Sequence, residues 1–197
     1  MEYNKVSSCC FEGSTPVFYV APEDFNTDRY TVEDIKSAYD KYHGQVVKVY
    51  QETINTDCEL TCKGQWVNAE FVKAEAIQEI EIYLQPLGFS HAEDNNIMRV
   101  TPDHIFPVLT KEGVKDKEAY LIGTGDQILF ESEQTLIKPE YVEVSDESVI
   151  TILPRKVFKV IKKDFEQSKE YFCFKIMDES LQPYLLMPNG CITHNCR

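Results

Sequence analysis

The last ten residues, Pro188-Asn189-Gly190-Cys191-Ile192-Thr193-His194-Asn195-Cys196-Arg197, set an asparagine between a histidine and a cysteine. An asparagine so placed can cut its own peptide bond. Its side-chain nitrogen attacks the main-chain carbonyl of the same residue and closes a five-membered succinimide. The attack is intramolecular, so good orientation can supply up to about 7–11 kcal/mol of the barrier. His194 adjoins the Asn195–Cys196 bond, where it can protonate the leaving nitrogen or polarise the carbonyl. Positioned acid–base help contributes about 10²–10⁴-fold. Near the other end stands Cys10-Phe11-Glu12-Gly13-Ser14-Thr15. The Cys10 thiol can attack the carbonyl of Cys9 and turn the amide into a thioester. A thiol of pKa about 8.5 is only a few per cent thiolate at neutral pH, so it needs a site that orients it and polarises or strains the amide.

A third group, Thr101-Pro102-Asp103-His104, falls between two strand-like runs. His104 can protonate the amide nitrogen that leaves as a thioester forms. Thr101 can hydrogen-bond that amide and hold it out of its relaxed geometry. Taken singly, each group has a plainer reading: a chance tail, an ordinary thiol, a polar turn around a satisfied histidine.

Together they resemble a known family. Cys10-Phe11-x-Gly13-Ser14-Thr15 is similar to the N-terminal splicing motif of inteins, whose usual form is Cys-Leu-x-Gly-Asp-Thr. Thr101-x-x-His104 resembles their second motif, and Asn189-Gly190-x-x-x-His194-Asn195-Cys196 their C-terminal one. The order is right, and Cys10 to Asn195 frames nearly the whole chain. Gly123-Thr124-Gly125-Asp126 resembles a Gly-Asp turn common downstream of the second motif. Two departures stand out. In the run Phe172-Cys173-Phe174, Cys173 occupies a place where Asp is common, and a thiol there could orient or deprotonate the downstream nucleophile. Gln182 stands where His is usual and cannot act as acid or base, which shifts the burden of asparagine cyclisation towards His194.

The resemblance implies an all-β Hint (hedgehog/intein) fold, horseshoe-shaped, with one or two short helices. It implies residues 1–9 as an N-terminal flank, 10–195 as the splicing domain and 196–197 as the start of the C-terminal flank. Cys10, Thr101, His104, Cys173, His194, Asn195 and Cys196 become the catalytic set, with no cofactor and no metal. The partners are the flanking host segments in cis, and the chain is expected to be monomeric. Only 105–171 separates the second motif from the penultimate one, without a Leu-Ala-Gly-Leu-Ile-Asp-like run, which fits a mini-intein lacking a homing endonuclease. Joined, the flanks would read Ser-Ser-Cys-Cys-Arg, similar to an active-site segment of anaerobic (class III) ribonucleotide reductases.

Composition agrees. With 33 acidic against 20 basic side chains, the net charge is −13, the opposite of a nucleic-acid-binding surface. No apolar run nears the roughly 20 residues of a membrane span, and the N-terminus lacks a signal-peptide core, so a cytoplasmic location is expected. Seven cysteines in such a chain point to reactive thiols or metal rather than a disulfide scaffold. Oxidation of Cys10, with Cys196 the better-placed partner, would remove the attacking thiolate, so reductant is expected to promote the reaction.

Periodicity predicts one helix from Thr31 to about Tyr42, capped by Thr31 and ended at His43-Gly44. Short strands are expected at 46–50, 76–84, 96–101, 105–110, 127–130, 149–153, 156–161, 171–177 and 184–187; 65–78 reads equally as helix or strand. Two other readings remain open at this level. One is a Hint relative that cleaves without ligating. The other is a zinc-binding β module using Cys58 and Cys62, which lacks a convincing second ligand pair.

Overall fold

The structure is a computed structural model that describes residues 10–27, 29–85, 96–132 and 149–196. Twelve strands and one α-helix are seen in these segments: β1 Phe11–Glu12, β2 Pro16–Tyr19, β3 Thr31–Asp34, α1 Ile35–Tyr42, β4 Val47–Asn55, β5 Thr61–Leu84, β6 Ile97–Val100, β7 Ile105–Thr110, β8 Gly113–Glu118, β9 Gln127–Glu131, β10 Val149–Ile176, β11 Tyr184–Leu186 and β12 Ile192–His194. Ten of the strands form one sheet in the order β12-β11-β4-β5-β6-β1-β10-β9-β7-β8, and β2 pairs with β3 alone. The expected all-β fold with one short helix is present.

Two very long strands organise it. β5 and β10 pair along much of their length, Val157 opposite Leu84 at one end and Ile176 opposite Ala69 at the other. The ambiguous stretch 65–78 is therefore strand, its β-branched and aromatic residues shared between β4 and β10 as neighbours. Three separately expected strands, 149–153, 156–161 and 171–177, are segments of the single β10. Pro154 falls between the first two of these and pairs opposite Leu129 of β9 within the strand.

The helix is shorter at its start than the pattern predicted. Thr31–Asp34 is strand, pairing Thr31 with Tyr19 and Asp34 with Pro16. Asp34 is the N-cap, its carboxylate accepting from the Ser37 N–H at 2.9 Å. Asp34 competes better than Thr31 because it adds charge at the positive helix end. The predicted end holds: the His43 N–H reaches the Tyr39 carbonyl at 2.9 Å, and Gly44 takes φ +80°.

Buried apolar side chains form two clusters. The larger holds Cys10, Phe11, Val100, Phe172, Cys173 and Cys196 together with most of the aromatic core. The smaller lies under the β4–β5 hairpin and joins Ile54, Cys62, Leu129, Leu186 and Ile192. Within it Gly64 has a packing reason, since a Cβ there would run into the Tyr50 ring. Glu52 is fully buried beside this cluster. Burial, and then the neighbouring Glu131 carboxylate, push its pKa up to about 10.

Candidate functional site

β1 is short because its work is lateral. Phe11 pairs with Val100 on one side and with Phe172 on the other. Continued by one residue, that register sets Cys10 level with Thr101 and with Cys173. The bonds agree: the Thr101 N–H donates to the Cys10 carbonyl at 2.9 Å. The Cys10 N–H donates to Thr101 Oγ1 at 3.1 Å, where a regular ladder would offer a carbonyl. Cys10, Thr101 and Cys173 are all fully buried. Thr101 thus holds, through its hydroxyl, the nitrogen of the Cys9–Cys10 peptide bond. Cys9 itself, the other flank residues 1–8 and Arg197 lie outside the described residues.

Thr101-Pro102-Asp103-His104 is the turn between β6 and β7, closed by the His104 N–H on the Thr101 carbonyl at 3.1 Å. The His104 ring is fully buried. It lies between Phe11 and Phe106, with centroids 4.5 and 4.7 Å away. Its Nε2 is 2.5 Å from Thr193 Oγ1. Thr193 belongs to β12, so this bond ties the turn beside the N-terminal junction to the strand that carries the C-terminal one. Sequence reasoning passed over Thr193. Its one signal was that it alternates with Ile192 and His194 on a short buried strand, too short a run to read.

The C-terminal hairpin explains Asn189-Gly190. The Gly190 N–H bonds the Met187 carbonyl at 2.8 Å, Met187 N–H bonds the Cys191 carbonyl at 2.9 Å, and Gly190 takes φ +91°, a left-handed conformation that glycine adopts without strain. The turn returns β12 onto β11, with His194 opposite Tyr184. His194 is fully buried, and its Nδ1 lies 2.6 Å from the Asn195 carbonyl oxygen. With a proton on Nδ1 it donates to the oxygen on which negative charge would grow as the carbonyl is attacked. The Asn195 N–H is fixed on the Pro183 carbonyl at 2.7 Å, and the Cys196 N–H on the Phe174 carbonyl at 2.9 Å. The second bond sets Cys196 on β10, one residue from Cys173. No hydrogen-bond donor among the described residues reaches Asn195 Oδ1, which leaves that amide side chain unanchored at its oxygen.

All seven sequence-predicted residues therefore belong to one buried neighbourhood built from β1, the β6–β7 turn, β10 and β12. Gln182 does not join it as a proton carrier. Its Oε1 accepts from the Ile54 N–H at 2.7 Å and its Nε2 donates to the Ile54 carbonyl at 3.2 Å. The side chain clamps the backbone of β4. Gln182→Ala should therefore act on stability. Two lost bonds at about 0.5–1.5 kcal/mol each lower the melting temperature by roughly 2–10 °C, checked by thermal denaturation of an Asn195→Ala chain. Gly123-Thr124-Gly125-Asp126 forms the expected turn, with the Gly123 N–H on Asp126 Oδ2 at 2.9 Å. Of the possible zinc pair, Cys58 is exposed at the hairpin tip, while Cys62 is buried.

No helix among the described residues is long and apolar enough to cross a membrane. No family model and no curated protein matches the chain. Solved structures do. The TvoVMA intein superposes with a TM-score of 0.62 at 15% identity, over 94% of this chain and 97% of that one. The PabCDC21-1 intein gives 0.62 at 13% identity over 96% and 99%. The Ssp DnaB mini-intein variant M86 gives 0.57 at 14% identity over 95% and 94%. The chain has the Hint fold of inteins along nearly its whole length.

Proposed function

We propose that the chain is a self-splicing domain that excises residues 10–195 and joins Cys9 to Cys196. The observation that carries this reading is the pair of links between the two ends: Cys10 to Thr101 at 3.1 Å, and His104 to Thr193 at 2.5 Å beside His194 and Asn195. The Cys10 sulfur attacks the Cys9 carbonyl carbon; a C–S bond replaces the C–N bond, and the Cys10 nitrogen takes up a proton with help from His104. Cys196 sulfur then attacks the same carbonyl, releases the Cys10 thiol and gives a branched chain. Cys173, level with Cys10 and one residue from the strand position that holds Cys196, assists this transfer. Asn195 Nδ2 attacks its own carbonyl, polarised by His194, and expels the Cys196 nitrogen. That free amine displaces its own sulfur from the Cys9 acyl group and leaves an ordinary amide. Each step exchanges one acyl bond for another, so no cofactor is called for and each chain reacts once.

The flanking segments act as substrates in cis, and the joined Ser-Ser-Cys-Cys-Arg favours a ribonucleotide-reductase-type host. Intact-mass analysis of longer fusions under reducing conditions tests the reading. Excised domain plus ligated flanks is the expected outcome. A fusion that releases flanks but never joins them identifies a cleaving relative, and one that stays intact rejects the reading.

Thr193 receives a role here as the contact that seats His104. Thr193→Val removes the hydroxyl and keeps the shape. It should slow thioester formation about 10-fold or more, one charge-assisted hydrogen bond being worth about 1.5–3 kcal/mol. The rate of flank release by an added thiol in an Asn195→Ala chain measures this; an unchanged rate removes Thr193 from the mechanism.

A further inference from the structure

We propose that Glu52, Cys62 and Glu131 form a binding site for a divalent zinc ion, separate from the splice junctions. β4, β5 and β9 each contribute one residue. The two carboxylates and the thiol bring their ligand atoms within 4.8 Å of one another. All three residues are at least nine-tenths buried, at 0%, 1% and 5% exposure. Ligand atoms about 2.0–2.3 Å from a tetrahedral zinc lie about 3.3–3.8 Å apart, so the set needs to draw in by no more than about 1.0–1.5 Å to hold the ion.

Glu52 supplies the independent sign of a ligand. Both its oxygens are buried; the Glu131 carboxyl and the Cys62 thiol are their near neighbours, but no donor among the described residues reaches either oxygen in regular hydrogen-bond geometry. A buried carboxyl group without donors is costly even when neutral, and a cation between it and Glu131 would remove that cost. The Cys62 sulfur faces Glu131 Oε1 at 3.9 Å. A thiolate with two carboxylates suits zinc better than magnesium or calcium, which prefer all-oxygen sets. Three protein ligands leave one tetrahedral position for water or for the neighbouring Tyr50 phenol. The apolar shell of Ile54, Leu129, Leu186 and Ile192 lowers the local dielectric and strengthens the ionic bonds.

Zinc binding by these residues is independent of splicing. Cys58, the partner suggested by sequence spacing, takes no part. Its place is taken by Glu52, across the β4–β5 hairpin, and by Glu131, 69 residues from Cys62 along the chain.

The test uses the full chain carrying Cys10→Ala, Asn195→Ala and Cys196→Ala, so that it stays in one piece and lacks the junction thiols. Zn²⁺ binding is followed by calorimetry, and Co²⁺ binding by thiolate-to-cobalt charge-transfer absorption. One equivalent should bind, with the sulfur band present. Cys62→Ser should abolish the band, and Glu52→Gln should weaken binding about 10-fold or more. Absent binding, or binding unchanged by both substitutions, overturns the site and leaves a buried carboxyl pair that shares a proton. Should Cys62→Ser fail to fold, the near-isosteric Glu52→Gln and Glu131→Gln variants decide by the same titration.

Discussion

Cys10→Ala should abolish ligation outright while leaving some release of the C-terminal flank. The alanine has no atom that can carry the Cys9 acyl group, and among the described residues the register sets only Cys173 and Thr101 level with residue 10. Asparagine cyclisation needs less. Its carbonyl and His194 Nδ1 already lie 2.6 Å apart through adjacent residues, so slow cutting at Asn195 survives the loss of the thiol. Asn195→Ala should do the reverse. The acyl group can move to Cys10 and on to Cys196, but the Cys196 nitrogen is never released. The chain then stalls as amide in exchange with small amounts of thioester and branched species, which added thiol or hydroxylamine drains by cleaving them. Intact-mass spectra of the two variants beside the wild type separate these products. Spliced product from the Cys10→Ala chain would sink the proposed order of steps.

The second large effect belongs to His104. Removal of a positioned proton donor costs about 10²–10⁴-fold, so His104→Ala should slow thiol-induced cleavage at the N-terminal junction by that factor. A companion substitution distinguishes chemistry from packing. His104→Gln keeps a polar group able to reach Thr193 Oγ1, now 2.5 Å from the imidazole, but cannot titrate. If the proton matters, Gln is as slow as Ala. If His104 only spaces β12 from the β6–β7 turn, Gln recovers most of the rate. Circular dichroism of both variants checks that the ring's buried seat between Phe11 and Phe106 has not collapsed.

Six of the seven chemically suggestive residues stand out in the sequence because each sits in a short run whose side-chain types and spacing are unusual together; Cys173 stands out only through the family resemblance. The positioning residues do not stand out. Thr193 acts through a contact 89 residues away along the chain, and no local pattern records such a distance. Gln182 read as a missing base, whereas its two bonds to Ile54 make it a backbone clamp. Among the elements, Ile105–Thr110 appeared at its predicted bounds because turn residues close it at both ends. β10 did not, because Pro154 and a polar stretch from Lys162 to Glu170 interrupt its apolar pattern. That stretch is tied to β5 by pairings such as Lys162 with Ile80, which the neighbouring strand supplies and the sequence of β10 alone does not. The helix start failed for a similar reason: Thr31–Asp34 satisfies its backbone on β2 before α1 begins.

The complete burial of Cys10 also fixes the direction of flow in the proposed reaction. When the acyl group shifts from nitrogen to sulfur, the Cys10 nitrogen becomes an amine. In water such an amine, with pKa about 7.7–8.0, gains stability by protonation. Enclosed at Cys10, it is denied much of that stability, because burial disfavours the charged form. The thioester is thus a thinly populated, reversible state, and the amide is its resting form. A chain held this way is safe from hydrolysis while it waits. Only the succinimide step, which cuts the backbone and lets the Cys196 nitrogen depart, acts as a ratchet. Two reversible transfers can then run quickly without committing the molecule, and the slow cut at Asn195 alone decides when it is spent.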